Sequence, residues 1–217
     1  MRTHRIIFWT TLLLFIIFAP IVINLNIDND IKNILIGIIC SSLVSSIVEL
    51  PNLLNYKSNC KNNIYNSLLF TKLFLLQYNN DINNKLKEND FNYNQYGSYY
   101  LNNISNYINL FNKIDNTIFI SNKKKKELLN NKKDFFNLYN STLTESLRLD
   151  IYKMNLQLNN CTIEDLHIQL KKINSSNNKL INKIDSVAEN ILNKKQLNYF
   201  IDNSKRITEA LKNEANK

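Results

Sequence analysis

Two apolar runs near the N-terminus constrain this chain more than any other feature. Ile6 to Leu25 is almost unbroken in its hydrocarbon character, and Ile34 to Leu50 is a second run that reaches back to Ile31 when Lys32 snorkels. The polar loop Asn26 to Asn33 separates them. A bilayer core needs ~20 apolar residues per helix, so both runs are long enough to span one. The expected class is all-α: an N-terminal two-helix transmembrane hairpin followed by a cytoplasmic helical bundle with coiled-coil-like helices. Residues 1–50 form the hairpin (spans about 6–25 and 31–50), 51–60 a juxtamembrane linker, and 61–217 the helical domain.

Charge sets the expected orientation. Arg2 and Arg5 precede the first run, Asp28 and Asp30 outnumber Lys32 in the loop, and Lys57 and Lys61 follow the second run. Because Lys and Arg favour the cytoplasmic side, both termini are expected in the cytoplasm of a multi-pass plasma-membrane protein. A cleaved signal peptide is the competing reading of Met1 to Ala19. Against it, Ala19 is followed by Pro20 and the run continues through Ile21, Val22 and Ile23 without a small-x-small site.

The second run carries small residues at regular intervals: Gly37, Ser41 and Ser45 recur every fourth position, with Ser42 and Ser46 beside them and Glu49 near the inner end. Small side chains let helix backbones approach closely in lipid, and hydroxyls bond across the contact. Three uses stay open: packing against the first run, self-association between chains, or a serine-lined lumen gated near Glu49. In its order of elements and its Ser-rich second span, Gly37 to Glu49, the chain resembles the two-transmembrane effectors of bacterial defence systems. There a short N-terminal hairpin oligomerises and a cytoplasmic helical region senses a trigger. The resemblance implies a regulated membrane-permeabilising activity and assigns no individual residue a role.

Residues 1–50 hold three basic and three acidic residues, so the whole excess of +9 lies beyond them. A basic region beside an anionic leaflet is attracted at about 1 kcal/mol per well-placed Lys or Arg. Lys57, Lys61 and the run Lys123, Lys124, Lys125, Lys126 are the candidate lipid contacts. Elsewhere the basic residues are spread over several helices, which places nucleic acid below lipid as a partner. Asparagine makes up about one residue in five, which points to an AT-rich coding sequence. Only Gly37, Gly97, Pro20 and Pro51 punctuate the chain, so sheet-rich folds and glycine-built phosphate loops are improbable.

Beyond the linker, Cys60 to Leu86 reads as a helix with Leu68, Leu75 and Ile82 spaced by seven. Gly97 marks a turn, and Leu101, Ile104, Ile108, Phe111, Ile114 and Ile118 align on a helix from about Ser98 to Ile120. Tyr99, Tyr100 and Tyr107 are expected at the edge of that face. A third helix, roughly Lys124 to Leu158, carries Leu128, Phe135, Tyr139, Leu143, Leu147, Ile151, Met154 and Leu158 as one long stripe. Thr162 and Asp165 resemble a helix-start capping box. The most regular heptad follows: Ile163, Leu166, Leu170, Ile173, Asn177, Leu180, Ile184, Val187 and Ile191. Asn177 sits where a buried polar residue fixes register, and the heptad pairs either with another chain or with the preceding helix folded back. Near Lys194 and Lys195 the heptad slips, and a weaker face resumes at Leu197.

No chemistry stands out. Glu164 and His167 have the Glu-x-x-His spacing of di-iron bundles, but that site needs a second such pair and two more glutamates, and His4 is the other histidine. Cys40, Cys60 and Cys161 lack paired spacing. The expectation is a small non-enzymatic membrane protein without catalytic residues, cofactor or metal. Its helical region scaffolds an unknown cytoplasmic protein partner, and it self-associates in the bilayer.

Overall fold

Scarce glycine and proline leave little to interrupt helix once it starts. The computed structural model describes residues 2–24, 28–88, 96–114, 121–157, 160 and 162–214, and among these the chain is all-helical with no strand. The helices are α1 (Arg2–Asn24), α2 (Asn29–Glu88), α3 (Tyr96–Asn112), α4 (Asn122–Gln157), α5 (Ile163–Ile191) and α6 (Lys194–Glu214). The chain divides into two compact units, Met1–Cys60 and Lys61–Lys217.

In the first unit, α1 and the beginning of α2 form an antiparallel hairpin. Thr11 Oγ1 meets Ser46 Oγ at 2.7 Å, and Lys32 Nζ donates to the Ile23 carbonyl at 3.0 Å. Asp28 starts α2 by accepting the Asp30 N–H on its carboxylate at 2.8 Å, which satisfies a donor that the helix itself leaves free. Both helices are long and apolar enough to cross a membrane. Pro20 and Pro51 lie inside helices rather than at their ends. The stretch expected as a linker, 51–60, is therefore helical. A single proline removes one i→i−4 bond, and the long apolar and polar turns on either side of Pro51 keep the rest.

The second unit is a helical bundle whose directions follow from its side-chain contacts. Asn79 faces Asn178 and Lys72 faces Asp185, so α2 and α5 are antiparallel. Gln169 reaches Glu145 and Lys183 reaches Asp134, so α4 and α5 are antiparallel as well. Tyr107 stacks on Phe70 while Tyr100 stacks on Tyr78, which sets α3 antiparallel to α2. Phe111 on α3 packs against Phe135 on α4 with ring centroids 5.0 Å apart. Thus α2, α3, α4 and α5 alternate in direction, the arrangement of an up-and-down four-helix bundle. The core comprises Ile64, Leu68, Leu75 and Ile82 from α2, Ile104, Ile108 and Phe111 from α3, Leu128 and Phe135 from α4, and Leu166 to Ile191 from α5. α6 adds Phe200 beside Lys72.

Local signals explain where the helices begin and stop. Thr162 has extended backbone, its hydroxyl accepts from Asp165 N–H at 3.2 Å, and the Asp165 carboxylate accepts from Thr162 N–H at 2.8 Å, completing the capping box. These bonds hold the Asp165 carboxyl below its ordinary range. α5 ends at Ile191, with Leu192 as its extended C-cap, and α6 begins at Lys194, where the heptad slips. α3 stops earlier than the sequence pattern implied: it ends at Asn112, and Lys132 of α4 donates to the carbonyls of Asn112 and Ile114. An ammonium at a helix C-terminus satisfies acceptors that would otherwise lack donors. Ile118 lies outside the described residues.

Candidate assembly and membrane-contact faces

The hairpin turns its hydrocarbon outward. Trp9, Leu13, Ile16, Ile17 and Ile21 on α1 are exposed, as are Ile34, Ile38, Val44, Ile47 and Val48 on α2. Only 6% and 11% of the most apolar stretches of the two helices are buried. Against this, the buried residues between the helices are Val22, Ile39 and the polar Ser46. An apolar crevice of about 200 Å³ lined by Leu14, Phe18, Val22, Leu35, Ile39 and Ser42 separates the helices.

The small-residue set divides between two faces. Ser42 and Ser46 turn toward α1, where Ser46 bonds Thr11. Gly37, Ser41 and Ser45 are exposed on the outer side, and a Cβ placed on Gly37 would meet nothing within 4 Å. The serine hydroxyls are not idle donors: Ser41 donates to Gly37 O at 2.8 Å, Ser45 to Ser41 O at 2.9 Å and Ser42 to Ile39 O at 2.7 Å. Back-bonding of this kind hides a hydroxyl in an apolar surrounding. Glu49 is half-buried. Thr11 is the residue that the sequence pattern did not single out; its one available signal was a Thr10–Thr11 pair inside an otherwise apolar run.

Helix directions gather the candidate lipid-contact lysines. Because α2 and α4 both oppose α5, they run the same way, and Lys61 and Lys123 to Lys126 lie at one end of the bundle. The end of α3 and the α5–α6 junction bring Lys113, Lys194 and Lys195 to that same end. All of these are exposed or half-exposed, and Glu127 and the exposed Glu189 are acidic residues at the same end. Lys113, Lys194 and Lys195 were invisible as members of a cluster because they are far apart in the chain. Lys57 belongs to the hairpin unit, half-exposed on α2.

The heptad of α5 packs within the chain. Leu166, Leu170, Ile173, Leu180, Ile184, Val187 and Ile191 are buried against α2 and α4, joined by Ile181 and Ala188. Asn177 is completely buried and donates to Asn79 Oδ1 at 2.8 Å, while Asn79 donates to Asn178 Oδ1 at 2.9 Å and Asn174 to Asn83 Oδ1 at 2.9 Å. These amides form a polar seam along the α2–α5 contact, with Lys72–Asp185 at 2.6 Å continuing it. Ile163 departs from its expected core position, being exposed.

The α4 stripe departs further. Leu128 and Phe135 are buried and Tyr139 and Leu143 are half-buried, but Leu147, Ile151 and Met154 are exposed. In their place Asn131, Thr142, Ser146 and Leu149 face inward, with Ser146 Oγ against Tyr78 Oη at 3.2 Å. Leu158 lies outside the described residues, as does Cys161.

Among the described residues no group of three or more His, Cys, Asp or Glu gathers as a metal site. Cys40 is exposed and Cys60 buried. No protein-family model, curated protein or solved structure matches the chain.

Proposed function

We propose that this chain is a membrane-anchored, non-enzymatic helical interaction module that crosses the bilayer twice, with both termini cytoplasmic, and self-associates through its second span. One observation carries the reading: α1 and the beginning of α2 present their large aliphatic side chains outward, while the hydroxyls of Thr11 and Ser46 meet between them. A continuous exposed apolar surface of that size is foreign to water and natural to lipid. The outward Gly37–Ser41–Ser45 face supports self-association, since a second helix approaches most closely where side chains are smallest. The cluster of lysines at one end of the bundle supports contact with anionic headgroups.

The test is the mass of the detergent-solubilised full-length protein by light scattering, beside a Ser41→Leu, Ser45→Leu variant. A defined oligomer that the variant loses is the expected result. A monomer in both removes self-association from the reading, and release of the protein from membranes by carbonate removes the membrane anchor.

A second reading is a regulated membrane-permeabilising effector, favoured by the same outward serine face: hydroxyls bonded to their own helix are free to turn toward a lumen once several hairpins associate. Dye leakage from vesicles containing the full chain, abolished by Gly37→Leu, is its expected signature. An intact permeability barrier with the oligomer present would leave the scaffold reading alone.

A further inference from the structure

Between α5 and α6 the bundle keeps an open groove of about 690 Å³, floored by Lys72 and Phe200 and walled by Asp185 and Glu189 on α5 and by Leu197 and Ile201 on α6. Lys72 is satisfied there: its ammonium meets the Asp185 carboxylate at 2.6 Å and lies 5.3 Å from the centre of the Phe200 ring. Glu189 and Glu209 also line the groove, both exposed, and neither has a hydrogen-bond or ion-pair partner among the described residues. Lys205 is the cation there outside the Lys72–Asp185 pair, so the groove is acidic in balance on a chain whose net charge is +9.

Helix α4 carries a complementary surface. Leu129 and Phe136, each 50% exposed, flank the exposed Lys133, which also has no ion-pair partner among the described residues. These three lie about 40–100° around α4 beyond Lys132, which faces α3, and away from Asp134 and Glu145, which face α5. The strip therefore lies on the α3–α4 edge of the bundle. α6 lies on the α2–α5 edge, where Phe200 sits beside Lys72 and Asn203 donates to Tyr65 Oη at 3.0 Å. With strip and groove on opposite edges, a chain cannot fill its own groove, and a pair of chains leaves one groove open.

Strip and groove also share a height. Lys183 meets Asp134 at 2.7 Å, and Glu189 lies about 9 Å further along α5 while Leu129 lies about 8 Å back along the antiparallel α4, which sets the two level. Phe200, beside Lys72 and its partner Asp185, brings the α6 wall to that level. Chains that associate through their spans keep one orientation in the bilayer, so their bundles meet side by side and point the same way. At equal height, Leu129 and Phe136 of one copy then face Leu197 and Ile201 of the next, and Lys133 falls between Glu189 and Glu209. The Lys61 and Lys123 ends of all copies stay on one side of the assembly, where they remain available to headgroups.

We infer that the α5–α6 groove takes the Leu129–Lys133–Phe136 strip of a second copy of this chain, side by side and in the same direction. The contact rests on the self-association proposed above and is separate from Gly37, Ser41 and Ser45. Being heterologous, it extends the assembly past a dimer.

The test is thiol cross-linking of the full-length protein in detergent, in a background of Cys40→Ser and Cys161→Ser that keeps the buried Cys60. Leu129→Cys and Ile201→Cys, both at exposed positions, are placed in separate chains and mixed. A short bis-maleimide is expected to join them into a dimer, with neither variant joined to itself, and a chain carrying both cysteines is expected to give a ladder beyond the dimer. Lys133→Glu should weaken association, read from mass against concentration, roughly fivefold, and Glu189→Lys added in the same chain should restore most of it. Self-linking of each variant alone would mean a twofold contact and overturn the head-to-tail arrangement. No link in the mixture, with the oligomer mass retained, would overturn the groove contact and leave assembly through the spans. No link and a monomeric mass would overturn both.

Discussion

The hairpin and the bundle are built from similar aliphatic residues turned in opposite directions. In the bundle, Leu68, Leu75, Ile173 and Ile184 point inward, and asparagine and lysine make up much of the outside. Across the hairpin, Ile16, Ile38 and Ile47 point outward and the hydroxyls of Thr11 and Ser46 meet inside. Apolar content alone therefore does not say where a core is; what matters is which side of the helix the solvent rewards. Polar groups are also used differently. Inside the bundle, Asn177 and Asn79 are bonded side chain to side chain over a long sequence separation, whereas most hairpin hydroxyls bond their own helix one turn back.

Truncation breaks this contrast most directly. Ile184→Ala, in a position with no solvent exposure, should cost about 2–5 kcal/mol in denaturant unfolding of the bundle. Ile38→Ala, on the outer side of α2, should leave the unfolding curve nearly unchanged, and equal losses at the two sites would erase the distinction. Next in size is a charge placed outside. Ile38→Arg should oppose membrane insertion by about 3 kcal/mol and shift protein out of the carbonate-resistant fraction. Ser186→Arg, exposed on α5, should stay within about 0.5 kcal/mol of the parent.

The polar interiors allow a finer comparison. Asn177→Ala leaves Asn79 without its buried donor and should cost about 1–3 kcal/mol, while Asn79→Leu with Asn177→Leu should recover most of that loss in the same unfolding experiment. Thr11→Val in the hairpin should cost only ~0.6 kcal/mol in the mechanical or steric-trap unfolding of the membrane-embedded protein, because its partner Ser46 has its own carbonyl to bond.

The smallest effect belongs to pH. Asp165 is held below its ordinary value of 3.8 by the bonds from Thr162. A depressed carboxyl contributes stability above its unfolded pKa, and that contribution is lost as pH falls through the lowered folded value. Thermal melts of Asp165→Asn taken through this window should show less acid sensitivity than the parent.

Legibility differed between neighbouring helices for a geometric reason. The α5 heptad alternates steps of three and four, which keeps its residues on one face, and nearly all of them are buried. On α4, Phe135, Tyr139, Leu143, Leu147 and Ile151 follow one another by four. Each such step overshoots a full turn by about 40°, so four of them carry the stripe about 160° around the helix. The single stripe expected from the pattern is two faces, and Thr142, Ser146 and Leu149 take the inward one. The small-residue set behaves similarly: Ser42 and Ser46 are adjacent in sequence to Ser41 and Ser45, yet one pair faces α1 and the other faces away.

What the sequence determined by itself is what depends on neighbouring residues: helix throughout the described chain, the two apolar runs, the Thr162–Asp165 cap and the heptad of α5. These follow from backbone propensity, local hydrogen bonds and the helical repeat, none of which needs a distant partner. Tertiary structure decided the rest. It chose Asn79 as the partner of Asn177, brought Lys132 to the end of α3, and assembled Lys61, Lys113, Lys123 to Lys126, Lys194 and Lys195 at one end of the bundle. Each joins residues on different helices, and their meeting is fixed by how those helices align and in which direction they run.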